Sequence, residues 1–161
     1  IHDNYGSNLR LTEIQSAIGN IQLKKINNWN KKRRVNATKI NKVLSNFNEL
    51  IRIEEPKKNI KHAWYRYYAY IRTENLPKSW SRDRIIKEIN FNGVPCFTGS
   101  CPEIYKEQAI KKYLKKDIIN LPISKELGLT SIAFLTHPSL TKNNMDDTCN
   151  VLNEVLSRIL R

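Results

Sequence analysis

The chain has 161 residues, 40% of them hydrophobic and 27% charged, a balance that suits a globular protein long enough to bury a core. No apolar run approaches the roughly 20 residues of a membrane-spanning helix, and three irregularly spaced cysteines (Cys96, Cys101, Cys149) exclude a disulfide framework and a closed zinc site. The net charge of +13 admits nucleic acid or phosphate-bearing partners, but abundant Lys, Asn and Ile fit an AT-rich coding bias that raises charge without any partner. No stretch reads as a signal peptide, and a reducing cytoplasm is the expected location. The first residue is Ile1 rather than Met, which reads as a processed product or a piece of something longer.

Thr12-Glu13-Ile14-Gln15 matches a capping box and predicts a helix start. Ile14, Ala17, Ile18 and Ile21 follow at helical spacing. Asn27-Asn28 breaks or loosens this helix, and from Trp29 to Phe47 the period resumes through Ala37, Ile40, Leu44 and Phe47. Lys31-Lys32-Arg33-Arg34 decorates the outer side as a solvated face. Residues 1–48 are therefore expected as a helical arm, two helices or one long bent one.

The pattern changes near Glu49. Ile51-Arg52-Ile53 is a short strand, and the aromatic, partly alternating Trp64–Thr73 stretch is a second. Ser81–Asn92 reads as a helix with Ile85, Ile86 and Ile89 inward, then Asn92-Gly93 as a turn. Val94–Phe97 is a strand whose Pro95 favours an edge. Residues 98–102 form a loop, Ile104–Lys115 a weakly amphipathic helix, and Leu121–Leu127 another helix. Thr130–Thr136 reads as a buried strand ended by His137-Pro138, and Thr141–Leu160 as a final helix with Met145, Thr148, Val151, Leu152, Val155 and Ile159 inward. The order predicts an α+β class for residues 49–161: a small, mainly antiparallel or mixed sheet with helices on one face, preceded by long helices.

Residue chemistry alone assembles no complete catalytic machine. Asn8 and Arg10 precede a helix N-terminus, where free amides and the dipole favour an anion, and an amide beside a guanidinium suits phosphate or carboxylate. His137 sits at the end of a buried strand, able to donate, accept or titrate. Ser100 lies between Cys96 and Cys101 without an acid–base companion or a nucleophile elbow, so packing cysteines and a turn are the simpler reading. The Trp64–Tyr70 cluster imitates an aromatic platform for bases, but without a ribonucleoprotein motif it reads as core plus one exposed face. His2 and His62 have no partner in sequence.

Three segments together resemble the C-terminal portion of the pyridoxal-phosphate-dependent sugar aminotransferases of the DegT/DnrJ/StrS family. Residues 6–23, GSNLRLTEIQSAIGNIQL, are similar to the family's G-Y-N-Y-R-M-T-E-L-Q-A-A-I-G…Q-L signature, with Ser7 and Leu9 in place of its tyrosines. Residues 93–105, GVPCFTGSCPEIY, resemble the segment that lines the family's substrate pocket, with Gly99-Ser100 where His-Tyr is common. Leu121-Pro122 and Phe134–Thr141 resemble its closing L-P…L-P-L-H-P-x-L-T pattern. The match runs over essentially the whole chain.

The resemblance implies a homodimer with a shared active site. Asn8 would reach the phosphate of the partner's pyridoxal phosphate, Arg10 the substrate's charged groups, and His137 the sugar and cofactor, while Phe97 and Ser100 line the substrate pocket. Residues 1–48 would pack on the large cofactor domain and residues 49–161 form the small domain. The family transfers an amino group, usually from glutamate, to a keto-sugar nucleotide for surface polysaccharide or lipopolysaccharide synthesis. Its cofactor-bearing lysine precedes the Asn signature, so no catalytic residue and no metal ligand is expected within these 161 residues, and the chain alone is expected to be inert. Without the large domain, the stripe of Ile14, Ile18 and Ile21 is expected to self-associate. A basic nucleic-acid-binding module is the alternative reading, and a non-catalytic scaffold a third.

Overall fold

The computed structural model describes residues 10–114 and 121–161. Helix α1 (Glu13–Leu44) is a single continuous element of 32 residues, about 48 Å long. Its capping box forms as the sequence predicts: the Thr12 hydroxyl accepts from the Gln15 N–H at 3.3 Å, and Gln15 Oε1 accepts from the Thr12 N–H at 2.9 Å. Asn27-Asn28 does not break the helix, since an interior Asn costs only about half a kcal/mol.

Four strands follow: β1 (Ile51–Arg52), β2 (Arg66–Ile71), β3 (Cys96–Phe97) and β4 (Ser131–Leu135). They form one antiparallel sheet in the order β1-β2-β4-β3. Between them lie α2 (Arg82–Phe91), the short α3 (Gln108–Lys111) and α4 (Pro122–Thr130), and α5 (Lys142–Ile159) closes the fold. The helical stretch expected over Ile104–Lys115 divides into a 3-10 turn at Ile104–Lys106 and α3, and Lys115 itself lies outside the described residues. A second capping box, Thr141 with Asn144, starts α5.

The strand register sorts the sheet into two faces. Tyr67, Ala69 and Ile71 of β2 pair with Phe134 and Ile132 of β4 and with Ile51 of β1, and all are buried. The second half of α1 packs Ala37, Ile40 and Leu44 into the same core, with Ile85 and Ile89 of α2 and Met145, Leu152, Val155, Leu156 and Ile159 of α5. Full burial of each Ile or Leu contributes about 1.5–3 kcal/mol, so this layer carries most of the stability. Lys39 Nζ meets Asp146 Oδ1 at 2.8 Å and ties α1 to α5. The Tyr67 hydroxyl donates to Asn41 Oδ1, and burial, reinforced by Glu55, holds that phenol well above its ordinary pKa.

The first half of α1 makes no such layer. Ile14, Ile18 and Ile21 are 75%, 53% and 52% exposed, on a stripe turned about 100° around the helix from that of Ala37, Ile40 and Leu44. The helix runs about 35 Å from Glu13 before Asn36 enters the core.

Candidate functional site

Strand alternation puts every second residue of β2 on the face opposite α1, α2 and α5: Arg66, Tyr68 and Tyr70. Their register neighbours are Leu135, Ala133 and Ser131 of β4, and Phe97 of β3 pairs with Ala133. The reading of the aromatic stretch as core plus one exposed face is thus what the strand shows. The Arg66 guanidinium lies 5.0 Å over the Phe97 ring, and that of Arg52 4.9 Å over Tyr70. Arg52 is held in turn by Glu54 and Glu126.

Two cavities open on this face, divided by Tyr68 and Tyr70. One, about 320 Å³, is lined by Glu54, Glu55, Ile60, His62, Trp64 and Arg66. The other, about 250 Å³, lies under the 99–102 loop and α4. Trp64 marks the edge of the first with a φ of 50°, a left-handed conformation that costs a bulky residue about 1–2 kcal/mol. Three contacts hold it there. Its carbonyl accepts from the buried Thr136 hydroxyl, its N–H donates to His62 Nδ1 at 3.0 Å, and its ring stacks on Tyr67 at 5.5 Å.

His137 stands just past the end of β4. Asn36, buried in α1, donates from Nδ2 to the carbonyls of Thr136 (3.4 Å) and His137 (3.2 Å) and fixes this backbone. The Ser139 N–H (3.3 Å) donates to His137 Nδ1 and the Ser139 hydroxyl lies 2.6 Å from it, which makes Nδ1 an acceptor and leaves Nε2 to carry the proton of the neutral ring. A third cavity, about 290 Å³, lies between β3, β4 and the start of α5 and includes Asn144, Asp147 and Thr148. No lysine lines any of these three cavities.

The residues singled out from sequence fall into three places. Phe97 and Ser100 share the open sheet face. His137 lies at the other end of β4, up to about 20 Å along the chain from the Ser131 end that holds the Ser100 loop. Arg10 is exposed ahead of α1, far from both, and Asn8 lies outside the described residues. The helix start itself is a poorer anion site than its sequence suggests, because the capping box already employs the Thr12 and Gln15 amides and Glu13 adds a negative charge. Tyr68, Tyr70 and Ser131 are residues that the sequence offers no motif for. Only β2's alternation and the pairing of β4 identify their shared face.

Cys96 is buried behind the sheet with its thiol pushed up to about 12 by desolvation, and Cys101 is exposed against Glu107, whose hydrogen bond raises its thiol. Both are wrong for a nucleophile. Among the described residues no His, Cys, Asp and Glu cluster could hold a metal.

A small α+β domain with an open, tyrosine-bearing sheet face and a long projecting helix is the class that this fold and site define. The DegT/DnrJ/EryC1/StrS aminotransferase family's sequence profile matches residues 1–153, and the chain belongs to that family. It is 28% identical over 156 residues to GDP-perosamine synthase of Escherichia coli O157:H7, a match over 97% of this chain and 39% of that protein. The aminotransferase from Psychrobacter cryohalolentis shares 38% identity and superposes with a TM-score of 0.89, over the whole of this chain and 42% of that one. NtdA from Bacillus subtilis, solved with bound cofactor PMP, shares the fold at 21% identity and a TM-score of 0.77, over 96% of this chain and 34% of that one. The chain thus spans about two-fifths of the first two relatives. No helix among the described residues is long and apolar enough to cross a membrane.

Proposed function

We propose that these residues are the C-terminal part of a cytoplasmic, homodimeric, pyridoxal-phosphate-dependent aminotransferase. Its reaction moves an amino group, with glutamate as donor, to a keto-sugar nucleotide for surface polysaccharide or lipopolysaccharide synthesis. The exposed first half of α1, before Asn36, acts as an arm that packs on the cofactor domain, while the second half of α1 joins residues 49–161 in the small domain over the substrate. The arm is thus shorter than the 1–48 span expected from sequence, because Ala37, Ile40 and Leu44 are buried in the small domain's own core. The observation that carries this reading is the projecting first half of α1. It holds Arg10 about 35 Å of helix away from its own core and leaves the Ile14, Ile18 and Ile21 stripe uncovered. A residue so placed serves another body, not its own domain's sheet.

The donors present fit one edge of the cofactor and not its covalent seat. A guanidinium at Arg10 and an amide at Asn8 suit a phosphate or a carboxylate, whereas none of the three cavities described above is lined by a lysine. Pyridoxal phosphate, when bound, supplies the electron sink that lets nitrogen pass between donor and acceptor. The chain's own part is orientation: Asn8 and Arg10 hold anionic groups, Phe97 and Ser100 line the sugar's surroundings, and His137 offers its Nε2–H to an oxygen. Amino transfer by the complete polypeptide that contains these residues tests the reading. Arg10→Ala is expected to cost more in KM for the charged substrates than in kcat, and an enzyme indifferent to Arg10 and Asn8 would overturn it.

The salt dependence of binding distinguishes the nucleic-acid alternative. A phosphate-backbone binder loses affinity with a log–log slope of about −0.7 to −0.9 per contact, and a flat response leaves the charge to composition.

A further inference from the structure

Helix α1 carries eight basic residues and one acidic residue, Glu13, among its 32. Its lysines and Arg34 follow the usual pattern of long cations kept on the watery side of a helix. Arg33 does not. At about 100° per residue it falls on the azimuth of Ala37, Ile40 and Leu44, one turn before that stripe enters the core. Ile26 and Trp29 extend the same stripe toward the N-terminus, Ile26 43% exposed and Trp29 half-buried. An apolar residue suits this azimuth, and a guanidinium stands there instead.

The contacts around Arg33 define what lies beneath it. Asn36, three residues on, bonds the carbonyls of Thr136 and His137, and the Thr136 hydroxyl donates to the Trp64 carbonyl. The end of β4 and the approach to β2 therefore meet under this turn of α1. Tyr65 there sets its ring 5.8 Å from the Arg33 guanidinium carbon, close to the outer limit of about 6 Å for a cation–π contact, and the ring is 73% exposed. Packing shuts Arg33 Nε from water with no hydrogen-bond acceptor among the described residues. The Nη groups stay open, and they too have neither hydrogen bond nor ion pair among the described residues. Lys39, held by Asp146 at 2.8 Å, is the one cation of α1 with a carboxylate partner among them. A buried N–H without an acceptor is costly, and an apolar side chain of similar shape avoids that cost. Arg33 is thus a cation half withdrawn from water, and its own domain supplies no counter-charge.

We propose that Arg33 is the ion-pairing anchor of the notch between the projecting half of α1 and the small domain, and that its partner is an Asp or Glu side chain of the body covering that half. The carboxylate meets the open Nη edge, and Trp29 and Ile26 form the apolar rim beside it. The excess of cations along α1 makes an acidic surface the complementary one. The inference rests on the proposed function, in which that body is the cofactor domain of the complete polypeptide.

Arg33→Met keeps a stem of similar length and removes the charge, and the test compares it in two settings. In the 161-residue chain it relieves the orphaned N–H and is expected to raise Tm by about 2–4 °C. In the complete polypeptide it removes the ion pair and is expected to lower Tm by about the same amount. A change of the same sign in both, or no change in either, overturns the anchor. Arg33→Lys in the complete polypeptide then identifies the partner, since zero-length carbodiimide coupling joins an amine to a carboxylate in contact. Mass spectrometry is expected to find residue 33 linked to an Asp or Glu outside these 161 residues. A link confined to these residues, or none at residue 33 while Lys31 and Lys32 react, overturns the anchor. Amino transfer judges the aminotransferase reading separately: an active enzyme without the link loses only the anchor, and an inactive one with the link loses only that reading.

Discussion

Gly128→Ala sets two known effects against each other at one position. Gly128 lies inside α4, where alanine for glycine ordinarily stabilises a helix by about 0.8–1 kcal/mol. The new Cβ, however, would stand 2.3 Å from Pro102 Cγ and 2.9 Å from its Cβ, against an ordinary carbon–carbon separation of about 3.5–4.0 Å. The proline ring cannot swing aside as a long side chain would, and its carbonyl is held by Ser124. Overpacking of this kind costs about 1–3 kcal/mol, so the net expectation is a loss of about 1 kcal/mol, or about 2–4 °C in Tm. Urea unfolding followed by circular dichroism measures it, and Pro102→Gly in the same chain should turn the Gly128→Ala change from harmful to favourable. A Gly128→Ala protein that is stabilised by about 1 kcal/mol, with the 99–102 amide resonances unmoved, would refute the close packing of loop on helix.

Three further outcomes follow from the packing. Asn36→Ala withdraws the donor shared by the Thr136 and His137 carbonyls and is expected to cost about 1–3 kcal/mol in denaturant unfolding; an unchanged midpoint would contradict the buried bridge. The Lys39 hydrogen bond holds the Asp146 carboxyl below its ordinary value, so the pair's contribution is complete above the unfolded value near pH 4 and disappears as pH falls through the lower folded value. The stability difference between wild type and Asp146→Asn should therefore be flat from pH 7 to about 5 and shrink steadily in acid; a difference that persists at pH 2 would show another origin. Replacement of Ile14, Ile18 and Ile21 by Gln should leave stability within about 0.5 kcal/mol while abolishing self-association in sedimentation, and a wild-type chain that stays monomeric at high concentration would remove the stripe's assigned role.

Much of the fold is legible in the sequence because it depends on local physics. Thr12 with Gln15 caps a helix through contacts three residues apart, and the alternation of β2 follows from the pleat. The unbroken α1 was less legible. Two asparagines lower helix propensity slightly, and the anchor at Ala37, Ile40 and Leu44 lies in contacts with elements a hundred residues away. Helix α4 runs on to Thr130, past the periodic signal at Leu127, and the glycine at 128 that weakens the helical signal is the residue that lets Pro102 pack against it.

The candidate site was legible only in part. Phe97 and Ser100 come from a recognisable segment, but their neighbours Tyr68, Tyr70 and Ser131 join them solely through the β2–β4–β3 pairing. The helix start also reads differently in three dimensions. The side chain of Gln15, which makes the capping box visible in sequence, is the same group that occupies an amide an anion would need.

In the proposed function these residues supply the substrate-facing part of a site whose cofactor-bearing lysine lies elsewhere in the complete polypeptide. This division is tested most directly by incubating the 161-residue chain with pyridoxal phosphate, glutamate and nucleotide keto-sugars, reducing with borohydride, and mapping modified lysines by mass spectrometry. No turnover and no single preferred lysine are expected, with amino transfer present in the complete polypeptide and weakened, chiefly through KM, in its Arg10→Ala variant. Turnover by the isolated chain with one lysine selectively labelled would contradict it.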